Sequence, residues 1–251
     1  MRIEGRNAIL EALRSGLKVQ KALVLHGVKS NKSIDEILAY LHSQGVKPKF
    51  VKRPELDNIS EHGAHQGVMI WTAPFEYTPL GKLIERASEA SQSGQVKQPP
   101  HELVVVLDHV TDPGNLGAIA RSAEVLGAAG LIVAKDRAAA VTPAAFKSAA
   151  GALSHLPIAQ VTNISRALEQ LKEAGYWVAG ASEYADDAAW DTELSGKIAL
   201  VMGAEGTGLS RLVQKNCDFL VKLPQYGKVN SLNVAQAATA LMYEYTRQNK
   251  P

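Results

Sequence analysis

The chain has 251 residues, of which 46% are hydrophobic and 21% are charged. This composition supports a sizeable core and excludes a wholly disordered chain. The single cysteine excludes an intramolecular disulfide framework, and no apolar run reaches the roughly 18 to 20 residues that a membrane helix needs. The amino-terminal stretch resembles an amphipathic helix and lacks the apolar core of a signal peptide, so we expect a cytoplasmic protein.

The charge is unevenly distributed along the chain. Residues 1–55 hold eleven Lys/Arg and five Asp/Glu, a net charge of +6, whereas the remainder holds sixteen basic and twenty acidic residues, a net charge of −4. A basic module on a slightly acidic body is typical of an accessory domain that binds a polyanion. A solvated, lysine-rich face explains the same pattern, and the charge taken alone favours this second interpretation.

The first 75 residues predict a small α/β unit, because helix-like and strand-like patterns alternate over short spans. The predicted elements are, in chain order, helix 6–15, strand 21–26, helix 33–43, strand 47–52 and strand 65–73. A further helical pattern then leads into a polar stretch with two adjacent prolines. We assign residues 76–101 to a linker between two domains.

Residues 102–251 predict a second, larger α/β domain. The predicted strands are 102–110, 130–135, 156–161, 176–182, 197–203 and 219–224, and the predicted helices are 115–127, 143–150, 164–174, 209–215 and 231–247. Continuous Val/Ile/Leu strands separated by helices are typical of a mostly parallel sheet covered on both faces.

Three glycine- and asparagine-containing segments each follow one of these apolar strands and lead into a helical pattern. Their sequences are DPGNLGAIARSA (112–123), MGAEGTGLS (202–210) and LPQYGKVNSLNVA (223–235). In an open α/β sheet, ligands bind at the carboxyl ends of the strands. The three segments therefore predict one composite site.

The first segment combines a turn with an amphipathic helix. Its turn, 112–115, can cap the helix that follows, and Asn115 is then either a cap or a site residue. Arg121 lies outside the core-facing stripe, near the start of the helix, where it is either a surface charge or a site residue. The residues predicted to face the core are Leu116, Ile119, Ala120 and Ala123.

The second segment differs from the dinucleotide-binding fingerprint. Gly203, Gly206 and Gly208 give the order G-x-x-G-x-G, and Glu205 within the turn would repel a pyrophosphate. Such a loop suits a cationic or hydroxyl-bearing ligand, for example a sulfonium cofactor, although a plain glycine turn fits the same residues.

The third segment offers short polar side chains ahead of a long helix. Ser231 can cap that helix, and the polar residues with the exposed helix N–H groups can hold a carboxylate or an adenine edge. A structural turn and cap explain the same residues. The seven histidines form no spacing that supplies three zinc ligands, so we expect no metal.

Taken together, the segments resemble the motifs of the SpoU/TrmH family of RNA ribose 2′-O-methyltransferases, in the SPOUT superfamily. The similarity is greatest to the subgroup that methylates a guanosine of large-subunit ribosomal RNA. SAAGAL (148–153) resembles a further family motif, and IEGRNAILEAL (3–13) and HQGV (65–68) resemble the family's substrate-binding domain. Gln225 and Ala235 depart from the subgroup, which often has Met and Ser there; these departures concern the substrate more than the chemistry.

The resemblance implies a carboxy-terminal domain, 102–251, with a deep trefoil knot, and an amino-terminal substrate-binding domain, 1–75, with a ribosomal-protein-like α/β fold. It also implies a homodimer with S-adenosylmethionine sites at or near the interface. The implied cofactor contacts are Gly203, Leu223 and Leu232, with Gly206 shaping the loop. The implied catalytic residues are Asn115, Arg121, Glu205, Ser231 and Asn233.

The expected reaction is 2′-O-methylation of a ribose in ribosomal RNA, with transfer RNA methylation or a catalytically silent RNA-binding homologue as alternatives. A nucleotide-dependent oxidoreductase is disfavoured by the glycine order and by Glu205. A guanidinium stays protonated, so we expect Arg121 to hold a phosphate and stabilise developing charge rather than act as a base. The candidate RNA contacts in the basic module are Lys47, Lys49, Lys52 and Arg53.

Overall fold

The computed structural model describes residues 1–14, 16–60, 63–92, 102–228 and 231–249. These residues form two sheets, each of which belongs to an α/β unit. Residues 93–101 of the predicted linker lie outside the described residues. Asn230 of the third segment also lies outside them.

The amino-terminal unit contains a four-stranded sheet in the order β1-β4-β2-β3. Strand β3 is parallel to β2, whereas β4 is antiparallel to both of its neighbours. The elements are β1 (Arg2–Glu4), α1 (Arg6–Arg14), β2 (Val19–Leu25), α2 (Lys32–Ser43), β3 (Lys49–Val51), α3 (Arg53–Ile59) and β4 (Val68–Thr72). The sequence did not predict β1 or α3, which are both short.

Local sequence explains the helices of this unit. Helix α1 buries Ile9, Leu10 and Leu13 on one face, as its amphipathic pattern predicts. Helix α2 begins after Asn31, whose side chain accepts a hydrogen bond from the backbone N–H of Ile34 at 3.0 Å. This cap satisfies one of the N–H groups that a helix start leaves unpaired.

The carboxy-terminal unit contains a six-stranded parallel sheet in the order β10-β8-β9-β5-β6-β7. Its strands are β5 (Leu103–Asp108), β6 (Gly130–Ala134), β7 (Ile158–Val161), β8 (Trp177–Ala181), β9 (Ile198–Gly203) and β10 (Phe219–Val221). Its helices are α4 (Leu80–Gln92), α5 (Pro113–Val125), α6 (Pro143–Ala149), α7 (Ile164–Glu173), α8 (Arg211–Asn216) and α9 (Val234–Gln248). The predicted parallel sheet is therefore confirmed. The knot implied by the resemblance stays a prediction.

The central strands are buried on both faces. Every residue of β5 is buried, and β9 is buried up to Met202, so helices cover both sides of the sheet. This is the reason why these strands are continuously apolar rather than alternating. The residues predicted to face the core from α5 are all buried, namely Leu116, Ile119, Ala120 and Ala123.

Helix α4 lies within the range predicted as a linker, yet it packs on the larger sheet. Leu83 and Ala87 are buried in the same cluster as Val104, Ile132 and Ala159. The amphipathic part of the segment therefore belongs structurally with the carboxy-terminal unit. The division into two domains joined by a linker stays a prediction.

Helix α6 lies between the two units. A Cβ atom on Gly117 of α5 would overlap the carbonyl of Ala145 in α6, so these two helices need glycine to pack this closely. Helix α6 also contacts α1, and Lys147 lies 3.4 Å from the carboxylate of Glu11. The two units thus share an apolar core that includes α1, α5 and α6.

Candidate active site

The three polar segments converge at the carboxyl edge of the larger sheet. They follow β5, β9 and β10, and β5 is the direct neighbour of β9. The strand order changes direction at this pair, which is where ligands bind in open α/β sheets. A cleft of about 610 Å³ opens beside it, lined by residues of the second and third segments and by the end of β8.

Two of the segments form tight local structures. Asp112 caps α5, since its side chain accepts from the backbone N–H of Asn115 at 2.8 Å, and this leaves the Asn115 amide free for other contacts. In the second segment, Ala204 and Gly208 pair as a small hairpin around Gly206, whose φ is +79°. A Cβ atom on Gly203 would overlap the backbone of Gly208, so this hairpin folds directly onto the end of β9.

The third segment differs from the prediction in its helix start. Helix α9 begins at Val234, and its cap is Asn233, whose side-chain oxygen accepts from the backbone N–H of Ala235 at 2.9 Å. Ser231 was predicted as the cap. It lies instead before the helix, exposed and lining the cleft.

One hydrogen-bonded cluster joins all three segments. The amide nitrogen of Asn115 donates to Oε1 of Glu205. The amide nitrogen of Asn233 lies 3.0 Å from Oδ1 of Asn115 and 3.4 Å from the same Glu205 oxygen. Because the Asn233 oxygen caps α9, its amide group can point only its nitrogen at the other two residues. The helix start thereby fixes the orientation of the cluster.

The residues predicted to contact a cofactor, Gly203, Gly206, Leu223 and Leu232, all line the cleft. Glu205, Ser231 and Asn233 line it as well, and Asn115 is joined to them by hydrogen bonds. Arg121 is the exception among the predicted catalytic residues. Its side chain is exposed on α5 and makes no hydrogen bond or ion pair with the described residues.

Sequence reasoning missed two contributions to this site. The end of β8 lines the cleft with Ser182, Glu183 and Tyr184, and Tyr184 is 85% exposed. Polar residues directly after a buried strand are the same signal that identified the other segments. The sequence alone could therefore have predicted that the residues after β8 contribute to the site. The second contribution is Asp108, which is buried and accepts hydrogen bonds from the backbone of Ser210 at 2.7 Å and from His109 at 2.6 Å. Asp108 thus ties the first segment to the second.

The predicted RNA contacts lie around β3, at the edge of the smaller sheet. Lys47, Lys49, Lys52 and Arg53 are all exposed there. A second cavity, of about 650 Å³, lies in the same unit and shares only Arg53 with this set. Its other cationic residues are Arg6 and Lys29, and none of the described residues that line it is a carboxylate.

The single thiol lies apart from the cleft. Burial raises the pKa of Cys217 to about 12, with the nearby carboxylates of Asp218 and Asp108 adding to the effect and Lys172 opposing it. The thiol also donates a hydrogen bond to the Val213 carbonyl at 3.3 Å. Among the described residues, no His, Cys, Asp and Glu side chains group as a metal would require, and no helix is long and apolar enough to cross a membrane.

Two family models match the chain over nearly its whole length. The SpoU rRNA Methylase family matches residues 102–243, and the domain described as RNA 2′-O ribose methyltransferase substrate binding matches residues 2–78. Among curated proteins, YacO of Bacillus subtilis (strain 168), named as a TrmH family tRNA/rRNA methyltransferase, is 38% identical over 98% of this chain and 95% of its own.

Solved structures agree with these matches. The SpoU methyltransferase AviRb from Streptomyces viridochromogenes, in complex with AdoMet, is 28% identical and superposes with a TM-score of 0.70 over 99% of this chain and 89% of its own. An AdoMet-bound rRNA methyltransferase from Sinorhizobium meliloti is 25% identical, with a TM-score of 0.68 over 100% and 88% of the two chains. The chain therefore belongs to the SpoU/TrmH family of S-adenosylmethionine-dependent RNA ribose methyltransferases.

Proposed function

We propose that this protein methylates the 2′-oxygen of a guanosine ribose in ribosomal RNA, in the cytoplasm, and that it acts as a homodimer. The observation that carries the proposal is the contact between Asn115, Glu205 and Asn233 beside a cleft large enough for a nucleoside cofactor. Ribosomal RNA is favoured because residues 102–243 match the SpoU rRNA Methylase family and one of the solved relatives is an rRNA methyltransferase. Transfer RNA is the second candidate, since the curated relatives are named for both substrates.

The residues of the cleft suit S-adenosylmethionine. Met202, Val221 and Leu241 give it an apolar wall, and the hairpin from Ala204 to Gly208 lines another side. The carboxylates of Glu205 and Glu183 also line it with one cation, Lys222, so the lining carries a net negative charge, which favours a cation over a phosphate. Bound S-adenosylmethionine supplies a methyl group on a positively charged sulfur. Gly203, Leu223 and Leu232 would hold the cofactor, with Gly206 shaping the loop.

The amide cluster serves to orient Glu205 and the target nucleotide. Both amide nitrogens lie on Oε1 of Glu205, whereas Oε2 accepts no hydrogen bond from the described residues. That second oxygen is available to the ribose hydroxyl or to a cationic side chain. Ser231, exposed at the cleft, provides a further hydroxyl for positioning the substrate.

Arg121 acts electrostatically in this proposal. A hydroxyl is a poor nucleophile until its developing negative charge is stabilised, and a guanidinium does this without losing its proton. Because Arg121 makes no ion pair with the described residues, its charge is available to an RNA phosphate. We assign it to the phosphate of the target nucleotide.

The face formed by α5 and α9 is the proposed dimer interface. The two helices pack together through a 2.7 Å hydrogen bond between the hydroxyls of Ser122 and Thr239. On this pair of helices, Val125 is 71% exposed and Tyr243 is 64% exposed. Each lies about one turn along its helix from the hydrogen-bonded hydroxyl, so both side chains are available to a partner chain. Arg121 lies one turn before Val125, so pairing through this face places Arg121 at the interface. Light scattering at micromolar concentration should therefore give the mass of two chains.

Mapping of 2′-O-methylation in ribosomal and transfer RNA from a deletion strain tests the proposed substrate. We expect one guanosine of ribosomal RNA to lose its mark, and the mark to return with the wild-type gene but not with Glu205→Gln. Loss of a mark only in transfer RNA would establish the second candidate. Unchanged maps, with S-adenosylmethionine still bound in calorimetry, would identify a catalytically silent RNA-binding homologue.

A further inference from the structure

The loop after β6 lies directly beside the first segment. Strand β6 pairs with β5 in the register Leu107 to Val133, so Lys135 follows β6 at the level where His109 follows β5. The loop is held there by a hydrogen bond from the backbone N–H of Ala139 to the carbonyl of Val110, at 2.8 Å. It therefore lies on the side of the first segment opposite to β9 and Glu205.

The backbone of this loop is strained at a charged residue. Arg137 has φ of +52°, in the left-handed region that non-glycine residues seldom adopt. His109, at the end of the neighbouring strand, has φ of +62°. Two of the four such residues in the described part of the chain thus follow the adjacent strands β5 and β6, at the carboxyl edge of the sheet where the amide cluster also lies. Strain of this kind persists where the surrounding structure holds it, and it concentrates at functional sites.

The loop presents two cations to solvent. Lys135 and Arg137 are both exposed, and neither forms an ion pair with the described residues. Asp136 lies between them, also exposed, so the loop carries one net positive charge. The carboxylates at the end of β5 and the start of α5 are engaged, since Asp108 accepts hydrogen bonds from His109 and Ser210 and Asp112 caps α5. The two side chains are therefore available to an anion.

We propose that Lys135 and Arg137 bind the phosphodiester backbone of the substrate RNA next to the target nucleotide. They act as positioning residues. By binding the phosphates, they hold the RNA strand along the edge of the sheet and so place the target ribose at the Asn115–Glu205–Asn233 cluster. A guanidinium matches a phosphate with two parallel hydrogen bonds, and an ammonium adds a second point charge. This inference rests on the proposed RNA methyltransferase function and extends its substrate site beyond the three segments.

The strain at Arg137 allows a test that separates charge from folding. Glycine adopts a φ near +52° without penalty, so Arg137→Gly removes the guanidinium and relieves the backbone at once. We expect a melting temperature equal to or above that of the wild type, a KM for RNA raised about 5- to 10-fold, and kcat and S-adenosylmethionine affinity nearly unchanged. Lys135→Ala should act in the same direction. The salt dependence of RNA binding should fall by about 0.7 to 0.9 per lost contact.

Lys215→Ala is the matched control. Lys215 is exposed near the end of α8, which runs back toward the start of β10, so it lies at the opposite edge of the sheet and its removal changes the net charge equally. It should leave KM and the salt slope at wild-type values. If Arg137→Gly has a wild-type KM and salt slope, or changes them no more than Lys215→Ala does, the phosphate contact does not exist. The salt slope is obtained from equilibrium RNA binding, which needs no methyl transfer. A wild-type protein that binds RNA but methylates none would therefore refute the proposed function and not this contact.

Discussion

The two sheets of this protein place polar residues at their edges in different ways. Around the smaller sheet, Lys29 in the loop after β2 and Arg53 at the start of α3 are both exposed, and among the described residues no carboxylate lines the cavity between them. At the carboxyl edge of the larger sheet, the central groups are two amides and one carboxylate in mutual contact. The first arrangement attracts a polyanion from a distance and tolerates motion, whereas the second fixes the direction of individual hydrogen bonds. We infer from this difference that the smaller unit binds the RNA and the larger unit carries out the methyl transfer.

The variant with the largest expected effect tests whether methyl transfer takes place at the edge of the larger sheet. Arg121→Ala should lower the rate of methyl transfer by about 10² or more, because the charge that stabilises the transition state is lost. S-adenosylmethionine affinity should change little, since Arg121 does not line the cleft. Single-turnover kinetics and calorimetry measure the two quantities. A variant that loses cofactor affinity in proportion to its rate would reassign Arg121 to cofactor binding.

A cofactor-specific effect is expected at Gly203. Gly203→Ala forces a methyl group into the backbone of Gly208, so the hairpin must move and S-adenosylmethionine binding should weaken at least about tenfold, for a packing cost of about 1–3 kcal/mol. Gly227→Ala is the control, because a Cβ atom there meets nothing within 4 Å. RNA binding by the amino-terminal unit should be equal in both variants. Equal cofactor affinity for the two would show that the hairpin does not shape the cofactor site.

A smaller effect is expected from the basic surface around β3. Replacing Lys47, Lys49, Lys52 and Arg53 with alanine should weaken RNA binding and flatten its salt dependence, by about 0.9 per phosphate contact if the duplex value applies. S-adenosylmethionine binding should stay unchanged, as none of the four lines the cleft.

Two double variants compare the basic residues that line the cavity of the smaller unit with those that lie outside it, around β3. Lys29→Ala with Arg53→Ala removes two cavity cations, and Lys47→Ala with Lys49→Ala removes the same charge from outside it. The pair with the larger loss of salt slope identifies the RNA path. If the quadruple variant and both pairs keep the wild-type slope, the basic face is merely solvated and recognition lies in the larger unit.

The smallest expected effect compares the stability of the units through equivalent helix caps. Asn31 caps α2 and Asn163 caps α7, each by accepting a backbone hydrogen bond at 3.0 Å. Either residue changed to alanine should cost about 1 kcal/mol. If the units unfold separately, chemical denaturation should show Asn31→Ala shifting one transition and Asn163→Ala the other. A single transition shifted equally by both would show that the shared core through α1, α5 and α6 makes them one cooperative unit.

The sequence predicted the larger unit well because its signals are local. Each buried strand is a continuous apolar run, and each polar segment follows one directly, so the strand ends and a candidate site could be predicted without knowing the strand order. The short elements β1 and α3 were missed because three to seven residues carry too little periodicity. The cap of α9 was misplaced by two residues, since Ser231 and Asn233 are equally good caps and only tertiary contact with Asn115 selects between them.

The relations between segments could not be predicted from residue patterns. That Asn115 and Glu205 meet follows from β5 and β9 being neighbours, which is a pairing across about 90 residues of intervening chain. The strain at His109 and Arg137 is likewise invisible in the sequence, because neither residue type signals a left-handed backbone as glycine does. The resemblance to a known family named candidate residues without giving their geometry, and the roles of these residues stay predictions.

The buried thiol has a practical consequence for following the two units in solution. With its pKa near 12, Cys217 is almost entirely protonated at neutral pH, and a protonated thiol reacts slowly with maleimides and other alkylating labels. It is also the only cysteine in the chain. A cysteine introduced on the exposed surface would therefore carry a fluorophore selectively in the otherwise unaltered protein. A pair of such sites, one beside each sheet, would report the distance between the units as RNA binds.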